Sequence, residues 1–373
     1  MSVGWAARTG AAVRLAAATP HAVAAVVAGF PTRNEVSTVR HVADVVEEGL
    51  RRAGLAGCAV LVNADNGSSD GTPAAFCAAP GGIRRLSIST GAEGTGKGTN
   101  VLAIFRAALD MGAARVAVFD ADVRSAEPGW AGAMLGAVDG DAPAMAVPVY
   151  RRNRYEGNTT SHLVSPLLAA VLGVHVQQPI AGDFAFNRSF VEHALTWPLP
   201  ESARLYGIDI HLTGSAAREG YRIVQVPLGR KIHNPGFPKI LFMSQQVIDS
   251  AFHVIARTGH PRLAPAAPPG ERATVDAAAV RPDARLVERT LAKVRAYLAQ
   301  HRAAIRSLFP SLDHGVQVRG GLAVLDAPAW GEVLADALAA VAAGRAAGRA
   351  GHCGRRPPCN IAGPRRACCH RRF

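Results

Sequence analysis

Short apolar runs alternate with amphipathic segments along the first 150 residues. The run Val23–Ala28 predicts a first strand, and Gly29–Asn34 a loop with Asn34 as the N-cap of the next helix. That helix carries Val36, Val39, Val42, Ala43, Val46 and Leu50 on one side. Glu47 with Arg51, and Glu48 with Arg52, are spaced i,i+4 and mark its wet face. Cys58–Val62 predicts a second strand, followed by the polar stretch Asn63–Thr72, in which Thr72 caps a helix with Pro73 in its first turn. Leu86–Ile88 predicts a third strand, Gly91–Gly98 a glycine-rich loop, Asn100–Met111 a helix, and Val116–Phe119 a fourth strand ending on Asp120-Ala121-Asp122. This alternation predicts parallel strands wound with helices on both faces.

The rhythm changes past Tyr150. Arg151–Thr160 is polar and basic, Ser165–Leu172 predicts a short helix, Ile208–Arg218 another, and Tyr221–Val226 a strand leading to Lys231-Ile232-His233. Prolines and alanines then dominate. The chain divides into a leader (1–20), two halves of one α/β domain (21–150 and 151–255), a linker (256–285), a helical extension (286–343) and a basic tail (344–373) expected to lack order. In the extension, Leu286–Leu308 and Trp330–Ala342 predict helices suited to self-association.

Hydrophobic residues make up 49% of the 373, a globular composition. The net charge of +13 would suggest nucleic acid, but Arg345, Arg349, Arg355, Arg356, Arg365, Arg366, Arg371 and Arg372 concentrate it in the tail, with no interleaved aromatics for base stacking. Cys58 and Cys77 read as reduced packing residues, and the tail cysteines lack the spacing of a zinc site. No run is long enough to span a bilayer. Arg8 and Arg14 ahead of Ala22–Phe30 imitate a secretory signal, but that run leads directly into a loop and helix, so a cytoplasmic protein is expected.

Asp120 and Asp122 place carboxylates at a strand's C-terminal edge, where open α/β sheets bind ligands and where a divalent cation could hold a diphosphate. The glycine-rich loop nearly matches a P-loop, as in an ATPase or kinase. However, Gly98 stands where a hydroxyl is needed for magnesium, and the loop follows the third strand instead of the first. A dinucleotide fingerprint is absent after the first strand.

Taken in order, Pro31-Thr32-Arg33-Asn34-Glu35, Ala64–Thr72 and Asp120-Ala121-Asp122 resemble the first-loop, nucleotide-base and metal motifs of the GT-A glycosyltransferases. Gly96-Lys97-Gly98, Tyr150-Arg151-Arg152, Pro166-Leu167-Leu168, Gln178–Asp183, Tyr206–Ile210 and His233 are most similar to the glucosyl-3-phosphoglycerate and mannosylglycerate synthases. The resemblance implies a single Rossmann-like mixed sheet and retaining transfer of a hexose from a UDP- or GDP-sugar to a small hydroxy acid, with Mg2+ or Mn2+. It implies that Pro31, Glu35, Asp65, Lys97 and Asp120 bind the donor, that Asp122 and His233 hold the metal, and that Asp183 and Asp209 face the sugar and acceptor. Arg151, Thr159 and Thr160 would meet the acceptor, with Arg152 and Arg154 also suited to its charge. The chain departs from the phosphoglycerate enzymes at Asn158, where they have arginine, and at Asp183 and Asp209, where they have glutamates. The rival readings are a GT-A enzyme acting on a polysaccharide or lipid, a sugar-phosphate nucleotidylyltransferase, and a non-catalytic nucleotide-binding protein.

Overall fold

Strand β1 (Val26–Thr32) is an interior strand of the sheet, and its alternation divides the core. Val27 enters one apolar cluster while Val26, Ala28 and Phe30 enter the other, as a period of two requires. A computed structural model describes residues 24–78, 82–91, 96–152, 156–233, 240–258, 284–312, 316–319, 322–325 and 327–352. The leader, Arg154, most of the linker and the tail cysteines lie outside the described residues.

In chain order β1 is followed by α1 (Val39–Arg52), β2 (Ala59–Asp65), α2 (Thr72–Cys77), β3 (Arg84–Ser89), α3 (Lys97–Asp110), β4 (Arg115–Val118) and α4 (Gly129–Gly136). Then come β5 (Ala144–Arg151), α5 (Ser165–Leu172), β6 (Phe184–Asn187), α6 (Arg188–Ala194), α7 (Glu201–Arg204), α8 (Ile208–Glu219), β7 (Arg222–Arg230), α9 (Ile240–Ala256) and α10 (Ala284–Gln300). The seven-stranded sheet has the order β3-β2-β1-β4-β6-β5-β7. Strands β1 to β4 are parallel, and β6 runs antiparallel between β4 and β5, so the sheet is mixed as expected. Helices α3, α6 and α8 cover one face, and α1 and α4 the other.

A second unit, 301–373, contains α11 (Arg302–Leu308), a hairpin of β8 (Val316–Arg319) and β9 (Leu322–Leu325), and α12 (Ala327–His352). Ser311 donates to Asp336 of α12 through its backbone N–H (3.0 Å) and its hydroxyl (2.5 Å). The hairpin was not anticipated, although its strands alternate about Gly320-Gly321. The helix expected over 330–342 continues to His352, so the basic tail begins inside a helix.

Several local expectations are corrected. Strand β1 starts three residues later than Val23 and runs through Gly29–Thr32, because those residues pair with β2 up to Thr32↔Asp65. Pro31 is tolerated there because β4 pairs only as far as Gly29. Asn34 does not cap α1, which begins after Thr38. It sits at φ 58° and binds the loop after β2. Val36 precedes α1 and is exposed. Thr72 is the first residue of α2, and Gly71 is its N-cap. Glu47 is buried, not wet: its carboxylate receives Arg85 of β3 at 2.8 Å, and both side chains are at most 4% exposed. Asp44 also receives Arg85, at 2.6 Å. Cys77 is exposed, so only Cys58 is partly packed.

Helix α9, also unanticipated, lies along α8. Ser250 Oγ is 2.8 Å from Ser202 Oγ, and the Gln246 side chain accepts from Tyr206 N at 3.0 Å. His211 of α8 is 2% exposed, with its ring edge-on to Trp197 and 6.5 Å from that of His253 on α9. Among the described residues neither of its ring nitrogens has a hydrogen-bond partner. Burial, then His253, Arg218 and Arg257, push its pKa down to about 4. The unfolded chain, with a histidine pKa near ~6.5, therefore binds this proton first on acidification. Stability should fall as pH drops from about 6.5 towards 4, by at most about 3 kcal/mol for this residue. His211→Phe should flatten that part of the profile in urea unfolding measured from pH 7.5 to 4. An unchanged slope would mean that the imidazole is hydrated in the folded state.

Candidate active site

The C-terminal ends of β1, β2 and β4 open on one crevice, and its first wall is built from two loops tied together. The register pairs Thr32 with Asp65, and Thr32 Oγ1 donates to Asn63 Oδ1 (2.6 Å) and Asp65 Oδ1 (3.0 Å). Asp65 also accepts from Ser68 N (2.9 Å) and Ser68 Oγ (2.6 Å). Asn34 bridges across, its N–H donating to Ser68 Oγ and its side-chain oxygen accepting from Ser69 N. Glu35 N donates to Thr72 Oγ1 at 2.8 Å, and Val36 N to Asp70 at 3.0 Å. Pro31, Glu35 and Asp65 are thus brought to one ledge, with Asp65 buried beneath it.

The floor is a charge lattice. Antiparallel pairing of Val118 with Phe184 places Asp120, two residues beyond β4, against Asp183, one residue before β6. Asp120 N donates to Asp183 Oδ1 at 2.6 Å. The Asp120 side chain receives Lys97 on Oδ1 (2.8 Å) and Lys231 on Oδ2 (2.9 Å). Lys231 also donates to Asp183 Oδ2 and the Ala181 carbonyl, each at 2.8 Å, and the Tyr150 hydroxyl donates to Asp183 Oδ2. Lys97 is shared with Asp209 at the start of α8, at 3.2 Å. Gly182 makes this possible: a Cβ there would lie 1.9 Å from Asp120 Oδ2.

Burial works against each of these charges, and the neighbouring charges decide the outcome. For Lys97 and Lys231, desolvation is outweighed by the surrounding aspartates, and both ammonium groups are held more firmly than usual. For Asp120 the two lysines outweigh burial, so its carboxyl stays well below the carboxylate range. For Asp209 burial prevails over Lys97, and its pKa rises.

Glycines set the lattice against α7. The helix that begins at Lys97 starts earlier than the expected Asn100. A Cβ on Gly98 would lie 1.9 Å from the Ala203 carbonyl oxygen, and Gly98 N donates to Leu205 O at 3.0 Å. This turn therefore packs on protein backbone, which removes the P-loop reading and explains why no hydroxyl residue stands at 98.

The rim is laced separately. Arg124 N donates to Ile232 O (2.7 Å), Ile232 N to Ser125 Oγ (2.7 Å), and Ser125 Oγ to Arg230 O (2.6 Å). This joins the loop bearing Asp122 to the exit of β7 bearing His233, while Asp120 is engaged by lysines. Among the described residues no group of three or more His, Cys, Asp or Glu converges as a metal site. Asp122 and His233 on this rim offer a carboxylate and an imidazole, donor types compatible with Mg2+ or Mn2+.

The acceptor candidates separate. Arg151 ends β5 and is exposed, Thr160 is buried, and Thr159 Oγ1 lies 3.2 Å from Ser244 Oγ of α9. Asp183, expected to face the sugar, is fully buried beneath the lattice. Lys231 and the Tyr150 hydroxyl were not anticipated as parts of the site. The available signal for Lys231 was its place at the end of an apolar strand, two residues before His233.

No family model matches the chain, and no curated protein matches it. Among solved structures it is similar to glucosyl-3-phosphoglycerate synthase from Mycobacterium tuberculosis in complex with Mn2+, uridine diphosphate and phosphoglyceric acid. The two are 25% identical over 62% of this chain and 78% of the synthase, with a TM-score of 0.50. The same synthase with Mn2+, UDP-glucose and phosphoglyceric acid aligns at 26% identity over 62% and 80%, with a TM-score of 0.49. The chain has the GT-A fold of that synthase.

The lattice predicts a specific weakness. Lys231→Met leaves Asp120 and Asp183 with one buried counter-charge fewer and should destabilise the fold by roughly 3–5 kcal/mol in urea unfolding at pH 7. Adding Asp183→Asn should recover part of the loss. A change below ~1 kcal/mol would show that water screens the pair.

Proposed function

We propose that this chain is a metal-dependent hexosyltransferase. It moves a sugar from a nucleoside-diphosphate sugar to a small anionic hydroxy acid, with retention at the anomeric carbon. The observation that carries the reading is the meeting, at one sheet edge, of the Asp65 ledge, the Asp122–His233 rim and the Lys97–Asp209 pair. A P-loop phosphotransferase lacks this arrangement, and its glycine loop is here committed to α7.

Asp65 accepts from the nucleotide base, with its carboxylate oriented by Thr32 and Ser68. Pro31 and Glu35 shape the ledge around that base. Lys97 meets the diphosphate as a point charge, exchanging part of its contact with Asp120 and Asp209 for phosphate oxygens. Asp122 and His233 would hold Mg2+ or Mn2+, which supplies charge neutralisation for the leaving diphosphate. Asp209 remains the carboxylate at the sugar. Asp183 positions Asp120 and Tyr150 from below.

Retention is part of the proposed reading, and the surroundings of Asp183 bear on the route it would take. A double-displacement route needs a nucleophile at the sugar's far face, yet both Asp183 oxygens are occupied by buried donors. The consistent route is front-side attack. The bond from the anomeric carbon to the phosphate oxygen breaks, the bond to the acceptor oxygen forms, and the acceptor's proton passes to the departing phosphate oxygen. Fixed charges around that oxygen are the principal source of rate acceleration.

The test is release of nucleoside diphosphate from UDP- and GDP-hexoses with Mg2+ or Mn2+, with and without glycerate and 3-phosphoglycerate. Acceptor-dependent release should fall roughly hundredfold or more in Asp122→Ala, while the variant keeps the thermal midpoint of the parent. Donor binding with transfer only to an oligosaccharide or lipid would move the reading to a GT-A enzyme of another acceptor class. Consumption of a nucleoside triphosphate with a sugar phosphate would make it a nucleotidylyltransferase.

A further inference from the structure

Strand β5 leaves the sheet through Tyr150, Arg151 and Arg152, and strand alternation gives the two arginines different surroundings. Tyr150 points to the lattice, where its hydroxyl donates to Asp183. Arg151 is exposed, whereas Arg152, on the Tyr150 side, is half-buried. Burial draws the Arg152 guanidinium pKa down, and the neighbouring Tyr150, Glu156, Asp183 and Asp120 oppose that shift. Its position is fixed from a second direction. Gly157 has φ 68°, and a Cβ built there would lie 2.6 Å from Arg152 Nη1. The guanidinium therefore lies against the first residue of Gly157-Asn158-Thr159-Thr160. The two lysines are each held between aspartates, so Arg152 is a cation seated outside that lattice and beside the acceptor loop.

We propose that Arg152 binds the acceptor's carboxylate, and that the preferred acceptor carries a single negative charge and no phosphate. This rests on the hexosyltransferase reading above and names its substrate class. A guanidinium matches a carboxylate with two parallel hydrogen bonds, and the hydroxyl of Thr159 stands on the same loop. A phosphate dianion would bring further negative charge beside Glu156, Asp183 and Asp120. The neutral side chain of Asn158 offers it no counter-charge.

Steady-state transfer to glycerate and to 3-phosphoglycerate, with the donor that supports turnover, tests the assignment. The parent should show kcat/KM for glycerate at least about tenfold above that for 3-phosphoglycerate. Arg152→Met should raise KM for glycerate at least about tenfold while lowering kcat far less. Arg152→Lys, which keeps the charge without the planar fork, should fall between the two. Gly157→Ala, which displaces the guanidinium, should raise the same KM. Asn158→Arg should shift preference towards the phosphorylated acid. Preference for 3-phosphoglycerate in the parent, or an unaltered KM in Arg152→Met that unfolds at the parent's midpoint, would overturn this inference and leave the hexosyltransferase intact. Absence of metal-dependent donor binding in the parent would overturn both.

Discussion

The structure depends on keeping Asp120 ionised where its side chain is only 24% exposed. A carboxylate at that depth is unfavourable by several kcal/mol unless paired, and here two ammonium groups approach its separate oxygens. Each partner comes from a distant part of the chain: Lys97 opens α3, and Lys231 follows β7. The pairing therefore requires the parallel half, the antiparallel strand and the last strand to be assembled together. Gly182 and Gly98 belong to the same constraint, since side chains there would collide with an Asp120 oxygen and a backbone carbonyl.

The reversal at β6 does the geometric work. A wholly parallel sheet would carry the chain away from the crevice after β4 and bring it back only through another crossover. Antiparallel pairing of β6 with β4 instead brings the residue entering β6 level with the residues leaving β4. Asp183 thereby supports Asp120 from below, and Lys231, at the end of β7, closes the lattice from the side. The ledge and the rim are stitched by their own hydrogen bonds, so each can adjust to a ligand without exposing the buried charges.

The parallel half is legible in the chain because apolar strands and amphipathic helices there repeat with the periods of their elements. The positions of Asp120 and Asp122 are legible for the same reason, as acidic residues just after an apolar run, whereas Asp65 is picked out by the resemblance of Ala64–Thr72 to a nucleotide-base motif. What could not be read depends on contacts between distant segments. Glu47 has the spacing of a surface pair with Arg51, and only the approach of Arg85 buries it. Asn34 and Thr72 look like helix caps locally, yet each is held by the opposite loop. Gly98 imitates a phosphate-binding turn because its real neighbour, Ala203, lies about a hundred residues away in the chain. For Lys231 the local signal is only its place at a strand end, and its role depends on its distant partners Asp120 and Asp183.

The lattice also constrains the form in which a donor can enter. Asp120, Asp183 and Asp209 face Lys97 and Lys231, so three carboxylates stand against two ammonium groups, and the cluster is not rich in positive charge. A bare nucleoside-diphosphate sugar would bring further negative charge to carboxylates that are already paired. Accompanied by a divalent cation, its diphosphate is neutralised, and the only rearrangement left to the protein is for Lys97 to share its hydrogen bonds. Separating the lattice from the Asp122–His233 rim serves this arrangement. On the proposed reading, the residues that order the buried charges are not those offered to the metal, so binding can change the rim while Lys231 stays on Asp120 and Asp183.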